Sequence, residues 1–233
     1  MRINRYLSEC GICSRREADR LVKAGHVSIN GKIAGIGVSV EEGDTVTVDG
    51  RRVTPPETKT YLSFYKPKGM ICTFDDNEPQ SLGVFLKKYP KRVTYAGRLD
   101  RNSEGLMILT DDGEMIDRMM RARNGHEKEY EVTVDRPLTD SFLKSMAEGV
   151  WLEELHVRTR RCRVTATGER SFNIVLTQGL NRQIRRMCDA LGYRVRSLKR
   201  IRVVNILLGD MKPCELRPLT ASELAELRKT LEM

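Results

Sequence analysis

The sequence predicts an α+β protein with a small basic N-terminal domain and a larger domain built on a mixed, mainly antiparallel sheet flanked by helices. Three observations support this prediction. Asn30-Gly31 lies between two short strand-like segments and is a strong β-hairpin signal. Pro55-Pro56 lies in a polar segment that is typical of a linker. Beyond it, strand-like segments follow one another without regular crossover helices, which favours antiparallel pairing.

The first domain is expected at residues 1–50. A short helix over residues 4–10 stops at Gly11. A second helix begins after Ser14, where Glu17 is spaced to complete a capping box, and ends at Gly25. Three strands follow, at residues 27–29, from residue 32, and at residues 45–48. Six basic side chains lie on the predicted helices or just before the first of them: Arg2, Arg5, Arg15, Arg16, Arg20 and Lys23.

A linker over residues 51–60 separates this domain from the larger one, at residues 61–233. Its strands are predicted at residues 61–65, 93–96, 106–110, 130–134, 157–165, 172–177 and 195–203. Its helices are predicted at residues 82–87, 114–123, 139–148, 181–191 and 221–231. Thr220 and Glu223 have the spacing of a capping box at the start of the last helix.

Charge favours a polyanionic partner. Lys and Arg number 41 against 32 acidic residues, a net charge of +9. Residues 182–202 contain eight basic residues and one acid, and charge segregated in this way is typical of a phosphate-binding surface.

Hydrophobic residues make up 39% of the chain, enough for a packed core. We see neither an apolar signal segment nor a membrane span, so we expect a cytoplasmic protein.

Common cofactor and metal sites find little support in the sequence. Gly35-Ile36-Gly37 lacks the third glycine of a dinucleotide site, and there is no Walker loop. Cys10 and Cys13 have metal-like spacing, but no second pair completes a tetrahedral site, so we interpret them as reduced thiols. We expect neither a cofactor nor a bound metal.

Asp100 is the candidate catalytic residue. A predicted strand runs into Gly97, a turn presents Arg98 and Asp100, and Gly105 returns the chain to a strand. Two strands can hold such a carboxylate in a fixed position. Without further motifs, an aspartate that only stabilises a turn explains the pattern as well.

Four ordered motifs resemble those of RNA pseudouridine synthases of the RsuA type. The motifs are Lys66-Pro67-Lys68-Gly69, Gly97-Arg98-Leu99-Asp100 with Ser103-Glu104-Gly105-Leu106, Lys128-Glu129-Tyr130, and Gly179-Leu180-Asn181-Arg182-Gln183-Ile184-Arg185-Arg186. The first fifty residues resemble the αL RNA-binding module named after ribosomal protein S-four. The segments 124–130 and 178–183 are similar to those of the large-subunit RluF branch.

The resemblance implies a cofactor-free isomerase that flips a uridine out of its stack, detaches the uracil and rejoins it through a ring carbon. It implies that Asp100 is the essential carboxylate, acting as nucleophile or as base, with Arg185 as its pairing cation. Tyr130 would stack on the uracil and assist proton transfer. RNA contacts are expected from the six basic residues of the N-terminal domain and from Arg98, Lys66, Lys68, Arg182 and Arg186.

The implied substrate is a stem-loop of 23S ribosomal RNA, and we expect the enzyme to be a monomer. Two alternatives remain open from the sequence. One is a pseudouridine synthase that acts on 16S rRNA or tRNA. The other is a non-catalytic RNA-binding or ribosome-assembly protein, which would keep the basic surfaces but would not need Asp100 and Tyr130.

Overall fold

The computed structural model describes residues 1–75, 77–121 and 125–233, and it forms two compact units. The N-terminal unit contains residues 1–60, 89–94 and 110–113, and the C-terminal unit contains the other described residues. Asn124 and the predicted helix end at residues 122–123 lie outside the described residues.

The N-terminal unit consists of two helices and a small antiparallel sheet. Its elements are α1 (Ile3–Glu9), α2 (Arg15–Lys23), β1 (Val27–Ile29), β2 (Lys32–Ile33), β3 (Val46–Val48) and β4 (Arg51–Arg52), with sheet order β2-β1-β3-β4. The Ser14 hydroxyl accepts a hydrogen bond from the Glu17 N–H at 3.2 Å, as its predicted capping role requires. The Glu17 carboxylate instead accepts from Arg20 Nη1 at 2.9 Å.

Two features of this unit follow directly from local chemistry. Asn30 and Gly31 have φ angles of 50° and 77°, the pair of positive values that a two-residue type I′ hairpin turn requires. Ile3 and Leu7 of α1 pack with Ala18 and Val22 of α2 and with the sheet, so the apolar face of each helix forms the core.

The C-terminal unit is built on one large mixed sheet. From Tyr61 onward the chain forms β5 (Tyr61–Lys66), α3 (Leu82–Leu86), β6 (Thr94–Tyr95), β7 (Glu104–Thr110), α4 (Gly113–Met120), β8 (Lys128–Val134), α5 (Asp140–Glu148), β9 (Trp151–Leu152), β10 (Val157–Arg158), β11 (Arg163–Gly168), β12 (Ser171–Leu176), α6 (Gln183–Ala190), β13 (Val195–Val203), β14 (Ile206–Leu207), β15 (Leu216–Pro218) and α7 (Ala221–Thr230). The strand order is β11-β12-β8-β13-β7-β5-β15. The α+β prediction is confirmed.

The centre of this sheet positions the motifs. β8 pairs antiparallel with both β12 and β13, whereas β13 pairs parallel with β7. Phe142 and Met146 of α5 and Ile184 and Met187 of α6 pack with β8, β12 and β13 in one core. β13 therefore connects the strand that carries Tyr130 with the strand that follows Asp100.

The structure corrects three predicted elements. Residues 157–165 do not form one strand, because Thr159 leaves β10 to bond with Val150 and Cys162 bonds with Ala147 before β11 begins. Arg51–Arg52, predicted as linker, pairs with β3 as β4. The helix predicted at residues 181–191 begins only at Gln183, because Arg182 adopts a left-handed backbone with φ 52°. The short strands β9, β14 and β15 were not predicted.

Candidate active site

An open cavity of about 550 Å³ lies in the C-terminal unit. Its wall is formed by the turn that follows β6, the first residues of β8, the segment before α6, and β13. The charged and aromatic motif residues that line it are Arg98, Asp100, Lys128, Tyr130 and Arg182. The structure thus brings residues from three separate motifs into one concave site.

Asp100 lies on a turn that backbone hydrogen bonds hold in place. The Ser103 N–H donates to the Asp100 carbonyl at 3.0 Å, and the Gly69 N–H donates to the Arg101 carbonyl at 2.7 Å. The Asp100 side chain is 33% exposed and faces the cavity. The backbone that carries this carboxylate is therefore held in place, while the carboxylate itself stays accessible.

The cation next to the Asp100 carboxylate is Arg182, with 3.8 Å between Nη1 and Oδ2. We predicted Arg185 as the pairing arginine and Arg182 as a phosphate contact. Arg182 directly precedes α6 and has a left-handed backbone, with φ 52°. A non-glycine residue in this conformation is uncommon, and such strained positions are often found at functional sites.

Arg185 contacts the backbone of the turn. Its Nη2 donates to the Asn102 carbonyl at 2.8 Å and lies 3.4 Å from the Ser103 hydroxyl. Burial, followed by the charge of Arg182, lowers the pKa of Arg185, while the charge of Asp100 opposes that change. Its guanidinium remains charged, because arginine does not deprotonate in proteins. In this structure Arg185 supports the Asp100 turn rather than pairing with its carboxylate.

Tyr130 lies on β8, half-buried, with one side against the core and the other toward the cavity. Its strand neighbours are Ile174 on β12 and Arg200 on β13. The pairing on both sides fixes the backbone at Tyr130 and so directs its side chain to one face of the sheet.

Lys66, which we predicted as a phosphate contact, is fully buried. Its Nζ donates to the Ser103 carbonyl at 2.6 Å and to the Pro67 carbonyl at 3.0 Å. Burial lowers the pKa of this ammonium group. Lys66 is thus a fixed cation beneath the motif turn and cannot reach solvent to bind a phosphate.

The other predicted RNA contacts differ in how accessible they are. Arg98 and Lys68 are exposed. Arg186 forms an ion pair with Glu154 and donates to the Asn181 carbonyl. In the N-terminal unit, Arg5 pairs with Glu9, and the other five predicted contacts are exposed: Arg2, Arg15, Arg16, Arg20 and Lys23.

Arg200 and Lys128 were not predicted as site residues, yet both line the cavity. Arg200 is only 2% exposed, and its Nε donates to the Leu106 carbonyl at 2.7 Å. The sequence did contain a signal, since Arg200 lies two residues after the buried Leu198 on a strand and so shares its inward face.

Within the described ranges, no three His, Cys, Asp or Glu side chains form a group that could hold a metal ion. The same residues include no helix with the length and apolar character needed to cross a membrane.

Known proteins resemble this chain over its full length. The family model for RNA pseudouridylate synthase matches residues 60–190, and that for the S4 domain matches residues 1–46. The dual-specificity RNA pseudouridine synthase RluF of Escherichia coli O6:H1 is 45% identical, over 100% of this chain and 80% of the relative. The ribosomal large subunit pseudouridine synthase B of Bacillus subtilis is 31% identical, over 97% and 95% of the two chains.

A solved structure supports the same assignment. A crystal structure of a pseudouridylate synthase superposes with a TM-score of 0.72 and 29% sequence identity, covering 97% of this chain and 99% of the other. With an S4 domain at residues 1–46 and matching sequence motifs along one cavity, the chain belongs to the RNA pseudouridine synthase family, as an isomerase of the RsuA and RluF type.

Proposed function

We propose that this enzyme isomerises uridine to pseudouridine in a stem-loop of 23S ribosomal RNA, with Asp100 as its catalytic carboxylate. The observation that carries the proposal is the position of Asp100, a partly exposed carboxylate held at a cavity that Tyr130 also lines. A carboxylate that attacks the sugar or base, or removes a sugar proton, must be ionised and directed at the substrate. Arg182 places a positive charge 3.8 Å from the Asp100 carboxylate, and the hydrogen-bonded turn holds the backbone that carries it.

Tyr130 and Arg185 have different roles in this proposal. The tyrosine ring stacks on the flipped uracil, and its hydroxyl assists proton transfer. Arg185 acts through its hydrogen bonds to Asn102 and Ser103, which hold the turn that carries Asp100. We therefore propose Arg185 as a positioning residue for Asp100, rather than as the group that pairs with it.

RNA backbone contacts are proposed for the accessible cations. In the C-terminal unit these are Arg98, Lys68 and the partly exposed Arg182. Arg186 has a smaller role, because its ion pair with Glu154 must first be broken. In the N-terminal unit, the exposed side chains Arg2, Arg15, Arg16, Arg20 and Lys23 contact phosphates of a folded stem, as shape-reading RNA modules do.

The choice of RNA rests on relatives. The name of the Bacillus subtilis relative states a large ribosomal subunit substrate, which supports 23S rRNA. The name of the Escherichia coli relative states dual specificity, which favours a second RNA substrate such as a tRNA stem-loop. We further propose that the enzyme is a monomer and acts in the cytoplasm, where these RNAs are found.

Mapping pseudouridines in 23S rRNA, 16S rRNA and tRNA from cells with and without the gene tests the substrate. We expect at least one 23S position to lose its pseudouridine and to regain it when purified enzyme is added to the unmodified RNA. A change confined to 16S rRNA would contradict the proposed substrate but not the chemistry. No change in any RNA, with no activity of the purified protein on them, would contradict both.

A further inference from the structure

Arg200 forms part of the cavity floor, where two strands meet closely. Its Cα faces Gly105 in the parallel pairing of β13 with β7, and it faces Tyr130 in the antiparallel pairing with β8. A Cβ on Gly105 would lie 2.3 Å from the Arg200 carbonyl oxygen, so the glycine permits this approach. The backbone at Arg200 is therefore tightly fixed.

The Arg200 guanidinium has a donor that the protein does not use. Its Nε donates to the Leu106 carbonyl, but Nη2 is buried and has no hydrogen-bond partner among the described residues. Leaving a buried charged donor unpaired is unfavourable, so such a donor in a native protein calls for a partner, for example a bound ligand or an ordered water.

Lys128 adds a second positive charge to this part of the cavity. Lys128, on the adjacent β8, also lines the cavity. Burial, and then the charge of Arg200, lowers the pKa of the Lys128 ammonium group. Arginine and lysine side chains can donate hydrogen bonds but cannot accept them. This part of the floor is thus suited to a ligand group that carries lone pairs and no hydrogen.

The proposed reaction identifies such a group. We take the target uridine to enter this cavity with its sugar near Asp100, at the mouth, an assumption that rests on the proposed function. The part of uracil farthest from the glycosidic nitrogen is then the carbonyl at C4, whose oxygen only accepts hydrogen bonds. Cytosine differs from uracil at this position, where it carries an amino group that donates.

We propose that the Arg200 side chain, by a small shift that brings the buried Nη2 to the cavity surface, donates a hydrogen bond to the C4 carbonyl oxygen of the target uracil, and that this contact makes the cavity accept uracil and reject cytosine. The amino group of cytosine would meet a donor and leave Arg200 unpaired. Sites built to hydrogen-bond one partner discriminate strongly against an analogue that leaves their buried polar groups unpaired.

Sulfur-substituted substrates test this contact, because sulfur accepts hydrogen bonds poorly. Stem-loop RNAs would carry uridine, 4-thiouridine or 2-thiouridine at the target position, and kcat/KM would be measured for each. We expect the unaltered enzyme to lose about tenfold or more on 4-thiouridine, as for loss of a hydrogen bond to a charged donor, and less on 2-thiouridine. Equal rates on uridine and 4-thiouridine, or a loss confined to 2-thiouridine, would overturn the proposal.

Two matched variants assign the effect to Arg200. Arg200→Lys keeps the buried charge but removes Nη2, so we expect lower activity on uridine RNA and a uridine to 4-thiouridine ratio close to one. Arg202→Lys, on the same strand, is the control, because Arg202 pairs with Glu127 and Glu129 and does not line the cavity. Its ratio should match that of the unaltered enzyme.

Thermal melts distinguish a lost contact from a lost fold. If Arg200→Lys does not fold, Arg200→Gln takes its place, and the unaltered enzyme's substrate ratios can still reject the proposal. A folded Arg200 variant that keeps full discrimination against 4-thiouridine would overturn it. An unaltered enzyme that makes no pseudouridine in any uridine RNA would instead contradict the proposed function.

Discussion

The two units use basic side chains in different ways. On α2 of the N-terminal unit, Arg15, Arg16 and Lys23 are exposed, and Arg20 is 78% exposed although it pairs with Glu17. In the C-terminal unit, by contrast, several basic residues of β5 and β13 are buried or paired. Lys66 and Arg200 are inside, Lys199 pairs with Glu131, and the Arg202 guanidinium binds Glu127 and Glu129.

This difference shows that charge density alone does not identify a phosphate-binding surface. An exposed ammonium or guanidinium group can exchange water and counterions for phosphate at small cost. A buried one has already lost its hydrating water, so it must be stabilised by hydrogen bonds to the protein or to a specific ligand. We therefore propose that charge serves RNA affinity in the N-terminal unit, and positioning and specificity in the C-terminal unit.

Asp100→Asn provides the largest expected effect and tests whether the C-terminal unit performs the chemistry. Asparagine has a similar size but cannot ionise, so we expect pseudouridine formation to fall by about a thousandfold or more, with RNA affinity unchanged or slightly higher. Pseudouridine would be counted after incubation of purified enzyme with rRNA. Asp210→Asn, at an exposed turn, is the control and should keep normal activity. Activity that survives in Asp100→Asn would contradict the assignment.

Gly105→Ala tests how tightly the C-terminal unit is packed beneath its site. The residue has φ 110°, and a Cβ would lie 2.3 Å from the Arg200 carbonyl oxygen. Backbone strain and overpacking together should reduce the free energy of unfolding by about 3 kcal/mol, which lowers Tm by roughly 6–12 °C.

Gly25→Ala in the N-terminal unit is the matched control for Gly105→Ala. Gly25 has φ 81° but open space around its Cα. Only the left-handed backbone penalises alanine there, at about 1 kcal/mol. Calorimetry of both variants gives the comparison, and equal losses of stability would contradict the close approach of β7 and β13.

Arg185→Ala and Arg182→Ala separate positioning from charge pairing. Loss of Arg185 leaves the Asn102 carbonyl without its donor and loosens the Asp100 turn, so we expect kcat to fall by about a hundredfold. Arg182 is 47% exposed and its pair with Asp100 spans 3.8 Å, so we expect a loss of about tenfold or less, mainly in KM. Steady-state kinetics measures both. A deeper loss of kcat in Arg182→Ala would make Arg182 the essential partner of Asp100.

The double variant Arg16→Gln/Lys23→Gln has the smallest expected effect and tests the exposed charges of the N-terminal unit. Each lost phosphate contact reduces the slope of log affinity against log salt by about 0.7–0.9, so we expect a decrease of about 1.5. Filter binding at several salt concentrations measures this slope. Lys144→Gln removes an exposed charge on α5 and serves as the control. An unchanged slope in the double variant would remove α2 from the RNA interface.

Local chemistry allowed much of the fold to be predicted. β13 was predicted with its observed bounds, and the capping box of Thr220 and Glu223 is present at the start of α7. The alternation of side chains along a strand and a side-chain cap at the start of a helix depend only on residues that are close in the sequence. Both can therefore be recognised from the sequence alone. β9, β14 and β15 were missed, since strands of two or three residues exist only because a partner lies beside them.

By itself, the sequence determined the family and the α+β fold class and singled out the candidate carboxylate Asp100, because motifs, side-chain caps and strand patterns depend on residues that are close in the sequence. Tertiary structure decided which cations are available. It buried Lys66 under the motif turn, placed Arg182 rather than Arg185 beside Asp100, and left a donor of Arg200 unpaired at the cavity floor. Burial and charge pairing depend on neighbours that are distant in sequence, and only the folded chain brings those neighbours together.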